Sequence, residues 1–223
     1  TNYGLFGFGG GGAGNLGRTL LNGGNAAAFG ASASGLVLSG SFEDGYSGLD
    51  FALNSFTFTP NGAVNYILVT DEDRDNGNGA LTFATTLAFM QTQNALLNAV
   101  VNNNFGCAPA TTGGLGIDAD GDLYLADGAG GFTTCAGGGA IGSGAGGTEA
   151  HYVDLALATG GAAWNLNLLR AGGLTAQSFT ESFVDIKVQE ISDQVDAAVP
   201  EPSTVLLFGT GVLALGWFRR RRC

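Results

Sequence analysis

The sequence predicts an α/β fold in which a parallel sheet has helices on both faces. Short apolar runs at residues 63–70, 95–101 and 164–169 have the composition of buried strands. Between and after them, apolar residues recur at helical spacing, and strands that alternate with helices of ten to fifteen residues are typical of βαβ units. The 223 residues suit one such domain with additions.

The elements follow one another after a glycine-rich N-terminal segment, residues 1–42, which is predicted as a loop over 5–14 and a weak helix over 15–38. The domain itself is predicted to span residues 43–191, with a glycine-rich insertion at 105–147. Its helices are placed at 44–54, around 81–90, at 152–158 before a glycine stop, and at 176–191.

Charge excludes one large class of function. The chain has 19 acidic and 8 basic residues, a net charge of -11, and four of the bases are the consecutive Arg219, Arg220, Arg221 and Arg222. A chain with this net negative charge repels the phosphate backbone of nucleic acids, which argues against nucleic acid as a partner. Catalysis has little support either, because the single histidine, His151, has no recognisable partner motif. We therefore do not expect an enzyme.

The C-terminus predicts a membrane segment. A short acidic linker, residues 192–202, ends in Val199-Pro200-Glu201-Pro202 and precedes sixteen uncharged residues, 203–218. As a helix these would extend about 24 Å, enough to cross a bilayer with interfacial anchoring by Trp217 and the arginines. Arginines directly after the apolar run place residues 219–223 in the cytoplasm and the long body outside. The sequence thus predicts a single transmembrane helix within 203–223.

Motif, apolar helix and arginine run together resemble the PEP-CTERM sorting signal. The resemblance covers Val199, Pro200, Glu201, Pro202, the apolar segment and Arg219 to Arg222. It implies a precursor held in the inner membrane of a Gram-negative bacterium and cut by a membrane-embedded exosortase near the Pro-Glu-Pro. It further implies delivery of the body to the cell surface or the extracellular matrix.

Two motifs in the body resemble the von Willebrand factor A family, in its integrin β-subunit version. One is Glu43-Asp44-Gly45-Tyr46-Ser47-Gly48-Leu49 opening a helix before a strand that ends in Leu68-Val69-Thr70-Asp71; the other is Leu157-Ala158-Thr159-Gly160-Gly161. The family holds a divalent metal, Mg²⁺ or Ca²⁺, on three loops. Glu43 and Asp71 match two of them, while the Asp-x-Ser-x-Ser loop has no counterpart in this chain. The resemblance implies adhesion to a surface protein or polysaccharide.

The acidic loop after the strand at 63–70 allows two interpretations. Asp71, Glu72, Asp73 and Asp75 offer dense oxygen ligands suited to Mg²⁺ or Ca²⁺, with Asp71 the main candidate and Asp73 a weaker one. Alternatively the loop is an exposed turn whose charge is partly neutralised by Arg74. A metal at Glu43 and Asp71 and a purely structural turn both remain open.

A second acidic cluster lies within the insertion. Asp118, Asp120, Asp122 and Asp127 surround a strong turn signal, Asp120-Gly121-Asp122, which predicts a hairpin. Alternate aspartates also allow calcium ligation.

Cys107 and Cys135 are expected to form a disulfide. They enclose most of the insertion, and an exported protein folds in an oxidising compartment. Closing a loop of roughly 28 residues would stabilise the fold by roughly 3 to 4 kcal/mol.

The sequence leaves two functions open. Adhesion is the expected function, and the alternative is a purely structural surface or matrix protein without metal-dependent binding.

Overall fold

The computed structural model describes residues 1–9, 17–37, 42–58, 62–108, 111–143 and 146–198. The strands are β1 Gly4–Gly7, β2 Arg18–Asn22, β3 Val64–Thr70, β4 Ala95–Val101, β5 Asn103–Cys107, β6 Thr111–Thr112, β7 Gly114–Asp118, β8 Asp122–Ala126, β9 Phe132–Ala136, β10 Gly138–Ser143 and β11 Ala162–Asn165. The helices are α1 Ala26–Ala33, α2 Gly45–Ser55, α3 Phe83–Thr92, α4 Asp154–Ala158 after a π-helical turn Glu149–Val153, α5 Leu166–Arg170 and α6 Gly173–Ala198.

The main sheet is mixed, so the prediction of an all-parallel sheet was wrong for half of it. Six strands lie in the order β3-β4-β11-β7-β8-β9. The first three are parallel, whereas β7 to β9 pair antiparallel with their neighbours. Short turns join β7 to β8 and β8 to β9, and only antiparallel neighbours can be joined so tightly.

The segment predicted as an insertion at 105–147 is instead part of the fold. The hairpin expected around Gly121 is confirmed as β7–β8, and Gly121 takes a positive φ of 83° in its turn. However, β7, β8 and β9 complete the main sheet, and β10-β5-β6 form a second one. Glycine-rich strands such as β7 give a weak periodic signal, which explains why the sequence underestimates them.

Helices cover both faces of the main sheet, as predicted. Residues of β4 alternate between the two sides: Leu97, Ala99 and Val101 join a core with α2, α3 and α4, while Val100 joins a core with α6. This alternation follows from the period of two along a strand.

The predicted strands at 63–70 and 95–101 are confirmed as β3 and β4, but the third is misplaced. β11 ends at Asn165, and residues expected to be strand form the short helix α5. The Asn165 side chain accepts a hydrogen bond from the Asn167 N–H at 3.0 Å, which caps that helix. The side-chain cap at Asn165 thus starts a helix within residues 164–169, whose apolar character had predicted a strand.

The N-terminal segment is also more regular than predicted. Residues 4–7, expected to be loop, form β1, and residues 18–22 form its antiparallel partner β2, so helix is confined to α1. Phe6 of β1 packs edge-on against Phe51 and Phe56, with ring centroids 6.1 and 6.3 Å apart. These long-range aromatic contacts to α2 and its C-cap are invisible to local periodicity.

The last helix is longer than predicted and includes most of the expected linker. α6 continues through residues 192–198, so only residues 199–202 of the predicted linker lie beyond it, outside the described residues. Gln194 holds this part of the helix to the sheet, because its amide donates to the Asn94 carbonyl at 2.9 Å.

No helix in the described part of the chain combines the length and apolarity needed to cross a bilayer. The transmembrane helix predicted within residues 203–223 and the four arginines lie outside the described residues.

The predicted disulfide is formed. Cys107 of β5 and Cys135 of β9 are bonded, which ties the second sheet to the far edge of the main sheet.

Removing this bond should destabilise the protein substantially. We expect the Cys107→Ala, Cys135→Ala double variant to lose roughly 3 to 4 kcal/mol of unfolding free energy, because the reduced chain regains loop entropy on unfolding. Urea denaturation of the full chain in mild detergent measures the loss. Cys223→Ala is the matched control and should leave stability unchanged; equal effects in both variants would contradict the prediction.

Candidate functional site

The acidic residues predicted as a metal site gather at the C-terminal end of β3, where protein donors hold them. The Thr70 hydroxyl donates a hydrogen bond to Glu43 Oε2, and the Asp75 carboxylate accepts one from the Glu43 N–H at 2.5 Å. Glu43 is therefore fixed beside the C-terminal end of β3.

Asp71 and Asp73 each have a partner of their own. Asp71 forms a half-exposed ion pair with Arg170 at 3.0 Å, and Asp73 accepts a hydrogen bond from the Gly147 N–H at 3.1 Å. Among the described residues, no three His, Cys, Asp or Glu side chains are grouped to hold a metal ion. Metal binding at Glu43 and Asp71 stays a prediction, and their present contacts are to protein groups.

The loop is nevertheless strongly acidic. Desolvation and then the neighbouring carboxylates of Glu43, Asp75, Asp71 and Asp73 raise the pKa of Glu72. Repulsion by the neighbouring negative charges makes ionisation of the Glu72 carboxyl more costly.

Arg74 turns into the protein instead of neutralising the loop. Its Nε donates to Asp44 Oδ1 at 2.8 Å, both side chains are almost fully buried, and its guanidinium carbon lies 4.3 Å from the centre of the Tyr46 ring. Ser47 Oγ donates to the other Asp44 oxygen at 2.8 Å. Arg74 thus supports the start of α2, and the interpretation of Arg74 as a surface counter-charge was wrong.

His151 packs in the same region. Its ring lies edge-on to Tyr46 with centroids 6.0 Å apart, and its backbone carbonyl accepts a hydrogen bond from the Tyr46 hydroxyl at 2.8 Å. Its Nδ1 is buried without a hydrogen-bond partner among the described residues.

A second polar site, missed by the sequence interpretation, lies between α6 and the sheet. The fully buried Asn98 of β4 accepts a hydrogen bond from Trp164 Nε1 at 2.9 Å and donates to Glu190 Oε2 at 2.9 Å. Lys187 also donates to Glu190 Oε2, and to Asn65 Oδ1 at 3.0 Å. One acid and one base are therefore buried together beneath α6.

Burial shapes the ionisation of these groups. Desolvation lowers the pKa of Lys187, and Glu190 partly opposes that effect. Tyr124 stacks on Trp164 with centroids 5.7 Å apart and donates its hydroxyl hydrogen to Asp118 Oδ2. Burial, and then Asp118, raise the pKa of Tyr124, so its hydroxyl stays a donor at physiological pH.

A cavity of about 190 Å³ opens beside this network. It lies between the β7–β8 turn, the loop before β11, and α6. The lining residues are Asp118, Ala119, Asp120, Gly160, Ile186, Gln189, Glu190 and Asp193. Four of the eight carry carboxylates, so the cavity is strongly acidic.

Glu190 is the most buried acid of this cavity, with 9% of its surface exposed. Its Oε2 is bonded to Asn98 and Lys187, whereas Oε1 is buried and accepts no hydrogen bond from any described residue. An unsatisfied buried acceptor costs about 1 to 3 kcal/mol, and more when charged. Glu190 thus leaves one buried acceptor oxygen unsatisfied among the described residues.

The structure divides the second predicted acidic cluster. Asp118 and Asp120 line the cavity; Asp118 Oδ1 accepts the N–H groups of Asp120 and Asp122 and so fixes the turn. Asp127 serves a separate turn, where it accepts the Gly131 N–H at 2.9 Å. Glu190 and Asp193 approach from α6, some seventy residues later. The sequence signal for Glu190 was the polar spacing Lys187, Glu190, Gln194 on the face of α6 that also carries Phe183 and Ile186.

The disulfide is typical of a protein that folds in an oxidising compartment, as exported proteins do. Comparison with known proteins also points to export, because the PEP-CTERM protein-sorting motif matches residues 198–222. The motif supports an exported protein that an exosortase processes at the membrane and that is transferred to the cell surface. Neither the curated proteins nor the solved structures include a match to the chain, and the von Willebrand A resemblance gains no support.

Proposed function

We propose that this protein is a cell-surface or matrix binding protein whose α/β body is released from its membrane tether by an exosortase. The observation that carries the proposal is the sorting motif at residues 198–222, which begins where α6 ends. In this proposal the precursor is anchored in the inner membrane of a Gram-negative bacterium and cleavage near Pro200–Pro202 separates the body from the apolar segment.

Two properties of the α/β body support a location outside the cytoplasm. The Cys107–Cys135 disulfide is of the kind that persists in oxidising compartments. Half of all basic residues, Arg219 to Arg222, lie beyond the proposed cleavage site, so the matured body would be more acidic than the precursor. A high negative charge keeps an exported domain soluble and directs it toward neutral or cationic partners.

Binding is favoured over a purely structural role by the acidic cavity beside α6, because its four lining carboxylates would attract a cationic partner. Metal-dependent adhesion through Glu43 and Asp71 is a separate proposal; loss of divalent-ion binding in Asp71→Ala, measured by calorimetry, would support it.

Changing the sorting motif should block maturation. We expect Pro200→Ala, Glu201→Ala, Pro202→Ala to accumulate as an uncleaved membrane-bound precursor in a host that contains an exosortase, because the protease no longer recognises its site. Mass spectrometry of the membrane and surface fractions measures the outcome.

Asp193→Ala, just upstream in α6, is the control and should mature normally. Wild-type protein that reaches the surface with residues 203–223 still attached would contradict the proposal.

A further inference from the structure

We propose that the chain forms a parallel dimer with a second copy of itself through an apolar row on α6. The row consists of Val184, Val188, Ile191 and Val195, all of which are exposed in the single chain. The inference goes beyond the proposed function by naming a partner, and it rests on that function for one step, the membrane tether.

The spacing of the apolar row is that of a helix–helix contact. Its members recur at intervals of four, three and four residues along α6, the alternation of apolar positions in paired parallel helices. Side chains three and four positions apart are neighbours on a helix surface, so the row is continuous. Each member is between 39% and 60% exposed, whereas ordinary exposed apolar residues are scattered singly. The row therefore has the form of one half of an interface.

The apolar row lies on the side of α6 that faces β3. Lys187 and Gln194 of α6 both form hydrogen bonds with Asn65 of β3. One residue turns a helix by about 100°, so Val188 and Val195 come next around α6 after these two residues. The residues of α6 that line the acidic cavity come before them, on the opposite side. The apolar row and the acidic cavity are thus separate surfaces.

The apolar surface continues onto β3. Ile67 and Val69 alternate with Asn65 along the strand, so they lie on the same face of the sheet as α6. Their side chains are 52% and 53% exposed. β3 is the last strand in the order of the main sheet, and no strand of the described residues pairs with its outer side. An interface here can therefore extend beyond one helix, as stable protein contacts do.

The length of chain beyond α6 favours another copy as the partner. Only residues 199–202 separate the end of α6 from the apolar run at 203–218, and four residues span at most about 14 Å. In the proposed precursor that run crosses the membrane, so every copy holds α6 near the lipid with its C-terminus toward it. The apolar rows of neighbouring copies are then at a similar height and point the same way.

The lipid surface suits the apolar row less well than a second copy does. α6 carries five acidic residues and one lysine, whereas helices that lie on a bilayer carry lysine and arginine on their polar face. The row itself contains no charged residue. Two acidic bodies can therefore meet there without burying an unpaired carboxylate.

The test is sedimentation equilibrium of the purified, uncleaved full chain in density-matched non-ionic detergent. All samples carry Cys223→Ala, which prevents disulfides between copies through the third cysteine. We expect a dimer that Val188→Glu weakens at least tenfold, because the substitution places two like charges in the contact. The fold should persist, since Val188 is 60% exposed and glutamate favours helix more than valine does; urea denaturation checks this.

The matched control is Ile141→Glu on β10, which introduces the same charge at a side chain that is 53% exposed and distant in sequence from α6. This variant should dimerise as the wild type does. A mixture of Val188→Glu with Val188→Lys tests the direction of the helices, because position 188 meets its own copy in a parallel pair. We expect the mixed dimer to be at least tenfold tighter than either variant alone.

A monomeric wild type would overturn the inference and favour lipid as the cover of the apolar row. So would a dimer that Val188→Glu leaves unchanged, since residues 203–218 would then join the copies. Equal weakening by Ile141→Glu, or a mixture of the charged variants that stays monomeric, would also overturn it. Failure of exosortase processing would leave every one of these masses unchanged, so the two proposals are distinguishable.

Discussion

Replacing Asp44 by alanine should lower the free energy of unfolding by about 3 to 5 kcal/mol, the range observed when one partner of a buried ion pair is removed. The Asp44 side chain is 1% exposed and that of Arg74 is 6% exposed. Without Asp44, the guanidinium beneath α2 keeps the stacking contact with Tyr46 and the Asn78 carbonyl but loses its counter-charge. The uncompensated buried charge causes most of the loss.

Urea denaturation of the full chain measures this effect, with Asp185→Ala as an exposed aspartate control. A double variant, Asp44→Leu, Arg74→Met, removes both charges and should recover much of the lost stability, because apolar replacements of similar volume often substitute well for buried pairs. A loss below about 1 kcal/mol in Asp44→Ala would show that the pair contributes no more than a surface salt bridge.

The same residue predicts a pH dependence. Burial alone raises the pKa of Asp44, but hydrogen bonds from Arg74 and Ser47 outweigh it and hold the pKa below its ordinary value of 3.8. A carboxyl whose pKa is lower in the folded state than in the unfolded state contributes its full stabilisation of the fold at pH values above the unfolded-state pKa. This contribution is lost as the pH falls through the folded-state pKa. Wild type should therefore lose its advantage over Asp44→Asn only below about pH 4.

The sequence predicted well those elements whose signal is local. β3 and β4 are seven-residue segments in which most residues are apolar, and α2 carries apolar residues at helical spacing, so their positions follow from the local pattern. β7 to β9 contain glycine, threonine and short turns, and their place in the main sheet depends on pairing with β11, which local sequence does not encode. The main errors were accordingly the direction of β7 to β9 and their interpretation as an insertion.

The residues of the candidate site also differ in whether a local sequence signal marks them. Asp118 and Asp120 were recognisable because they lie at a turn signal, and Cys107 and Cys135 because they enclose one segment of a chain expected to be exported. Glu190 and Asp193 were not, since a carboxylate on a helix is normally a solvated surface group. Only the packing of α6 on Asn98 turns Glu190 inward. Long-range contacts, not residue type, define this cavity.

Removing Glu190 alone should be about as damaging as removing Asp44. Glu190→Ala leaves the buried ammonium of Lys187 with only Asn65 and deprives Asn98 of an acceptor, so we expect a loss of about 3 to 5 kcal/mol in urea denaturation. Glu181→Ala, on the exposed side of α6, is the control and should change stability by less than about 0.5 kcal/mol.

The double variant Lys187→Met, Glu190→Leu tests whether an unpaired buried charge causes that loss. With both charges gone, α6 can pack through apolar groups, so stability should exceed that of Glu190→Ala and approach the wild-type value in urea denaturation. A double variant no more stable than Glu190→Ala would contradict this account, because the loss would then come from the missing packing of the Glu190 side chain. The expected result means that the ammonium of Lys187, left without its counter-charge between α6 and the sheet, causes most of the damage in Glu190→Ala.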